Sequence, residues 1–221
     1  MSASTTPQLE AELLIATGCA HCPVVLEGLS TLIKEGVIGS LRITNIVSQP
    51  ERARELGVRS VPWLQLGPFT LQGLHSPAEL REWAKRAGSL EGMTIYLHDQ
   101  LKQGNLEAME KLLATQPQWL EALLPLLEDE DTDMKVRIGV DALLESLATT
   151  TDLSSLVEGL GHLSQHARPA LRSDASHYLS LTGSPAAIPY LEARLQDEST
   201  EVRGIAEEGL AELKTKQPEA G

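Results

Sequence analysis

Residues 9–36 read LEAELLIATGCAHCPVVLEGLSTLIKEG, and this stretch decides the fold. Leu9 to Ala16 is short and apolar-rich, and Thr17-Gly18 ends it, which predicts a strand. From Cys19 to Glu35 the apolar residues fall at Val25, Leu26, Leu29, Leu32 and Ile33. That is helical spacing, and Gly36 stops it. At the junction stands Gly18-Cys19-Ala20-His21-Cys22-Pro23. The pattern puts Cys19 at a helix N-terminus, where unsatisfied N–H groups and the positive end of the helix dipole favour a thiolate. Thiols so placed titrate in roughly the 3.5–7.5 range instead of near ~8.5. Cys22 follows one turn in, close enough to close a disulfide. Cys19 is the expected attacking sulfur and Cys22 the resolving one. His21 can add a positive or hydrogen-bonding group beside them.

Outward from this stretch, Leu41 to Val47 alternates with β-branched residues and predicts a second strand. Pro50 to Leu56 predicts a short helix ended by Gly57. Trp63 to Leu66 and Phe69 to Gln72 flank Gly67-Pro68 and predict an antiparallel hairpin. Ser76-Pro77-Ala78-Glu79 opens a helix ending near Gly88, with Pro at its first position and Glu three residues after the cap. Strands separated by helices imply parallel pairing, and the closing hairpin makes the sheet mixed. Trp63 beside Pro62 fits either a cover over the cysteines or a core residue.

Residues 9–90 resemble a thioredoxin-fold thiol–disulfide oxidoreductase domain of the minimal, glutaredoxin-like type. CAHC occupies that family's active-site position. Gly57-Val58-Arg59-Ser60-Val61-Pro62 resembles the loop that ends in the family's cis proline, 40 residues beyond Cys22. The resemblance implies that Pro62 packs beside the sulfurs and that Val61 offers its backbone to an extended substrate peptide. His21 before the second Cys resembles protein disulfide isomerases and oxidising Dsb proteins. Pro23 resembles the CxxCP of glutaredoxin-like and archaeal disulfide oxidoreductase domains. The family's buried acid would fall at Leu13; Glu12 is adjacent but faces the other way, because strand side chains alternate.

After Gly92 strand signals stop. Helical patterns follow at 93–103, 105–115, 118–129, 133–148, 152–166, 168–181, 185–196 and 199–214, joined by short polar breaks. Val136-Arg137-x-x-Val140, Leu171-Arg172-x-x-Ala175 and Val202-Arg203-x-x-Ala206 recur early in a helix, their arginines 35 and 31 residues apart. The unit AIPYLEARLQDESTEVRGIAEEGLAEL resembles a HEAT repeat of the short bacterial type. Such helix pairs bury their apolar faces only by stacking. The expected fold is therefore an α/β thioredoxin fold, a mixed sheet with flanking helices, followed by an all-α HEAT-like repeat domain. Its expected boundaries are a disordered tail at 1–8, the first domain at 9–90, the repeats at 91–216 and a tail at 217–221. Arg137, Arg172 and Arg203 read as an inter-repeat polar ladder and not as an anion site.

Composition narrows the function. Of 221 residues, 42% are apolar, enough for a core, and only 3% are aromatic, which favours helical Leu/Val/Ala packing over an aromatic-rich sandwich. The net charge of −13 is uneven. Residues 1–90 carry 8 Lys+Arg and 8 Glu, whereas residues 91–221 carry 10 Lys+Arg against 23 Asp+Glu. That step argues against nucleic acid as a partner, since phosphate binding needs a basic face. It predicts salt-sensitive protein binding by the acidic repeats. Two cysteines exclude a disulfide-stapled secreted scaffold, no apolar run approaches a membrane span, and Met1 to Glu10 lacks a signal-peptide pattern. A cytoplasmic setting is expected, with no cofactor and no metal. Tetrahedral zinc would need a second ligand pair beside Cys19 and Cys22. His162, His166 and Glu158 share a helical face and read as solvated polar residues, while His75, His98 and His177 are scattered. The expected activity is thiol–disulfide exchange with a protein client that carries a disulfide or dithiol, reset by a reductase partner. The alternatives are a redox-sensing adaptor and a soft-metal module in which CAHC binds copper(I).

Overall fold

A computed structural model describes residues 9–216. The expected tails at 1–8 and 217–221 lie outside the described residues. The chain divides into two compact units, Met1–Met93 and Thr94–Gly221.

The first unit is a small mixed sheet with helices. Its strands are β1 (Glu10–Ile15), β2 (Ser40–Asn45), β3 (Trp63–Leu66) and β4 (Phe69–Gln72), in the spatial order β2-β1-β3-β4. β1 runs parallel to β2, with Leu13 opposite Ile43, and antiparallel to β3, with Leu13 opposite Leu64. β3 and β4 form the hairpin that Gly67-Pro68 predicts, and Gly67 turns it with a φ of +55°. The helices are α1 (Cys22–Lys34), α2 (Pro50–Glu55) and α3 (Pro77–Arg86). Strand alternation divides the core. Leu14 and Trp63 face one side and pack with Ala53 of α2, joined by Ile46, Val58 and Val61. Leu13 and Leu64, equally buried, face the other side. α1 and α3 meet through Gly28, where a Cβ would lie 2.7 Å from Leu80 Cδ1. A side chain at 28 would have to displace the Leu80 side chain.

Two expectations change here. Helix α1 starts at Cys22, not Cys19, so Cys22 is its first residue and not one turn in. Cys19 belongs to the turn that Gly18 opens with a φ of +81°. Pro23 fits the first helical turn because its missing N–H has no intrahelical partner there. In β2, a strand bonded on one side only, Ile43 is exposed while Thr44 is buried; the strand ends at Asn45, and Val47, expected within it, is exposed in the following turn.

The second unit is helical. Its first helix, α4 (Leu90–Gln103), begins in the last four residues of the first unit; it opens before Gly92, because the Ser89 hydroxyl accepts the Gly92 N–H at 3.0 Å and so acts as a cap. Then follow α5 (Leu106–Thr115), α6 (Leu124–Glu128), α7 (Met134–Leu147), α8 (Val157–Leu163), α9 (Pro169–Leu181), α10 (Ile188–Arg194) and α11 (Thr200–Lys216). Three of the predicted helices do not start as α-helix. Their first turns are 3₁₀ segments at Pro117–Leu123, Ser154–Leu156 and Pro185–Ala187. α5 packs on α7, α8 on α9, and α11 on both α9 and α10. The core is aliphatic: Leu143, Leu144, Leu160, Leu179, Leu191, Val202 and Leu213 are almost fully buried.

The recurring arginines close turns. Arg137 donates to the carbonyls of Leu127 and Asp129, Arg172 to those of His166 and Ala167, and Arg203 to those of Asp197 and Glu198. Each arginine thus satisfies carbonyls left over at the end of the preceding segment. The ladder is therefore mainly internal to each repeat, which corrects the inter-repeat expectation for Arg137 and Arg203. Arg172 alone of the three also reaches forward, with a bidentate pair to Asp197 at 2.8 and 2.7 Å.

Candidate functional site

The site is built at the carboxyl end of β1. After Ile15 the chain turns, and the Cys19 N–H donates to the Ala16 carbonyl at 3.2 Å. Asn45, at the end of β2, donates from Nδ2 to Thr17 Oγ1 at 3.1 Å and pins this turn to the neighbouring strand. Neither Thr17 nor Asn45 carries a motif signal. Only their position at adjacent strand ends could have pointed to them. Cys19 and Cys22 form a disulfide, with Cα atoms 5.5 Å apart. The Cys22 N–H, one of the orphan donors of α1, points at Cys19 Sγ from 3.2 Å. A thiolate formed there on reduction receives a charge-assisted hydrogen bond and faces the helix N-terminus. Cys22 is 4% exposed and Cys19 is half-buried, so an incoming molecule meets Cys19 first.

The other sequence-predicted residues arrive from distant stretches. The Val61–Pro62 peptide is cis, and the Val61 carbonyl oxygen lies 3.9 Å from Cys19 Sγ. Pro62 is buried, and its carbonyl accepts the Gly73 N–H at 2.9 Å. Cys19, Cys22 and Val61 are thereby brought together. His21 is less engaged: it is the N-cap residue of α1, exposed, and makes no side-chain capping bond. Trp63 is a core residue at 6% exposure, packed with Leu14 and Ala53 on the α2 side, which settles its open reading. Glu12 also faces α2. Arg52 donates to both of its carboxylate oxygens, at 2.7 and 2.6 Å, and this holds the Glu12 carboxyl below its usual range. Leu13 is fully buried and apolar.

Residues 120–211 match the family model for HEAT repeats. The helical unit carries HEAT repeats. Such repeats are protein-binding scaffolds built by stacking helix pairs. A search of curated proteins found no match to this chain. No helix among the described residues is long and apolar enough to cross a membrane.

In the HEAT region Arg172 is saturated. Its guanidinium has five N–H groups, and five hydrogen bonds engage them, from Asp197, His166, Ala167 and Glu198. It is a structural group and not an anion site, as the repeat spacing predicts. The His162–His166–Glu158 face gathers no ligand set: His166 Nδ1 instead accepts the Arg168 N–H at 3.2 Å. Donor atoms converge elsewhere, on Asp141 and Glu145 of α7 and His177 of α9, all within 4.8 Å of one another. The Tyr178 hydroxyl donates to Asp141 Oδ1 at 3.2 Å. Burial raises the Tyr178 hydroxyl's pKa, and burial likewise raises that of Asp174 one turn before His177. The sequence signal was there in the i,i+4 spacing of Asp141 and Glu145, but linear spacing does not show which helix faces α7.

Proposed function

We propose that the protein is a thiol–disulfide oxidoreductase of the thioredoxin-fold type whose HEAT repeats recruit the client. The observation that carries this reading is the meeting of Cys19 Sγ with both the Cys22 N–H and the Val61 carbonyl preceding Pro62. In the reduced protein the Cys19 thiolate attacks a client disulfide. A Cys19–client S–S bond forms and the other client sulfur leaves as a thiolate that takes up a proton. Cys22, deprotonated, then attacks Cys19 Sγ, releases the second client sulfur and restores the Cys19–Cys22 disulfide. The client gains two electrons, and a reductase partner returns two to the protein. The substrate peptide would extend beside Val61 and Pro62, with its backbone paired to that of Val61. The surplus of acid in residues 91–221 supports a client with a basic or mixed surface.

Full-length Cys22→Ser tests the reading. It should accumulate a mixed disulfide through Cys19, seen on non-reducing gels after incubation with a disulfide-bearing protein. Cys19→Ser should accumulate none. If Cys22→Ser traps nothing, exchange through Cys19 is refuted.

A redox-sensing adaptor is the second reading, favoured by Leu13 and Glu12. With Leu13 apolar and Glu12 held by Arg52, deprotonation of Cys22 lacks the buried acid that assists it in the resembled family. Slow resolution would then let the oxidised state persist as a signal. Slow turnover in an insulin-reduction assay, together with partner binding that differs between redox states, would select this reading.

A further inference from the structure

We infer that Asp141, Glu145 and His177 form a binding site for a divalent transition metal ion of the zinc class on the HEAT unit. Asp141 and Glu145 are four residues apart, so both carboxylates leave the same face of α7 one turn from each other. His177 on α9 supplies an imidazole to the same point, and the three donor atoms lie within 4.8 Å. His177 Nε2 stands 3.9 Å from Glu145 Oε1. That is too long for a hydrogen bond. It is near the separation of roughly 3.4 Å that two ligands adopt around one ion with ~2.1 Å bonds. The Tyr178 hydroxyl holds Asp141 by one oxygen, the kind of outer contact that orients a ligating carboxylate.

Charge points the same way. Asp174 lies within electrostatic reach of Asp141 and His177, so three carboxylates crowd one imidazole. Arg137, whose charge reaches Asp174, spends donors on the Leu127 and Asp129 carbonyls. A bound cation would offset this crowding. The mixed donor set selects the metal: an imidazole with carboxylates suits zinc, cobalt or nickel, whereas calcium and magnesium prefer all-oxygen shells. Three protein ligands leave one position of a tetrahedral ion for water. The site does not depend on the redox reading, since none of its ligands lies in the first unit.

The test uses the full chain with Cys19→Ser and Cys22→Ser together, so that no thiolate competes for metal. Calorimetric titration with ZnCl₂ should show one saturable equivalent, and Co²⁺ should give a ligand-field spectrum at the same stoichiometry. Excess Ca²⁺ or Mg²⁺ should not displace the zinc. His177→Asn and the exposed Glu145→Gln should each weaken binding at least about tenfold, whereas His162→Asn should leave it unchanged. Absence of saturable binding overturns the proposal. So does binding that survives His177→Asn, or that follows His162 instead.

Discussion

Both units place polar groups at the start of a helix, and they use them in opposite ways. At α1 the Cys22 N–H meets the sulfur of a half-buried cysteine, so the polar capacity of the helix end faces a sulfur that solvent can reach. At α9 the Arg172 side chain, 6% exposed, spends all five N–H groups on its own turn and on Asp197 and Glu198. The same physical need, satisfying groups at a helix boundary, yields the proposed site in the first case and a rivet in the second. What decides is saturation: a helix boundary can act on a ligand only where a donor is left to meet it.

The sharpest way to break this contrast is Asp197→Ala. It would leave the Nε and one Nη2 N–H of a buried guanidinium unpaired, which costs roughly 3–5 kcal/mol for pairs of this kind. Hydrogen exchange in α9 and α11 should accelerate accordingly, while disulfide exchange by Cys19 serves as the control on the first unit. The pair also gives this segment an acid limit. Hydrogen bonding from Arg172 holds the Asp197 pKa below the usual carboxylate value. A lowered pKa in the folded state means that stability is fully present above the ordinary carboxylate range and is lost as pH falls through the lowered value. Protection of α9 and α11 in the parent protein should therefore fall below about pH 4, and in Asp197→Ala that acid step should shrink. Unchanged exchange in the variant would mean that Arg172 is no rivet.

How far the sequence could be read follows the same line. Local signals were legible: β3 and β4 lie at the predicted residues, and the Ser76 cap and the Gly67 turn are where their chemistry demands. The CAHC motif and Val61-Pro62 were legible as a pair, and the structure brings Cys19 and Val61 to 3.9 Å. Long-range choices were not. Which face Glu12 takes follows from alternation, but that Arg52 awaits it on α2 does not. The convergence of Asp141, Glu145 and His177 depends on the packing of α7 against α9, which no residue spacing encodes. The period finds the repeat arginines, but of the three only Arg172 bonds forward to the next unit, whereas Arg137 and Arg203 bond to their own turns. A period reveals that a residue recurs and not whether it bonds within its unit or to the next.

Gly161→Ala tests the packing side of the contrast at a smaller scale. A Cβ at 161 would lie 2.4 Å from the Tyr190 ring, so the ring of α10 packs directly on the α8 backbone at this glycine. Overpacking of this order costs about 1–3 kcal/mol. The loss should appear as a lowered urea midpoint of the HEAT unit. A rescue by Tyr190→Leu would locate the clash, and no loss at all would show that Tyr190 swings aside freely.

Ser76→Ala probes the smallest effect, in a cap that is neither reactive nor buried. The Ser76 hydroxyl accepts the Glu79 N–H at 3.2 Å, and Glu79 Oε2 accepts the Ser76 N–H at 2.7 Å. Removing the hydroxyl costs about 1 kcal/mol in such boxes, roughly a fivefold rise in local opening. The reciprocal bond survives, because it uses the Ser76 backbone. That remnant has its own signature. The Ser76 N–H is the main cause of the lowered Glu79 pKa. A lowered folded-state pKa again means support that is present above the carboxylate range and lost as pH falls. Protection of the α3 amides, with the intrinsic exchange rate divided out, should thus fall about fivefold in the variant at neutral pH and fall further in acid, when Glu79 protonates. Because Leu80 of this helix packs against Gly28 of α1, fraying here would also loosen the seat of the cysteine-bearing helix. A Cys19 exchange rate that tracks α3 protection would make the cap part of the site's support. A rate that ignores it would confine the site to the turn between β1 and α1.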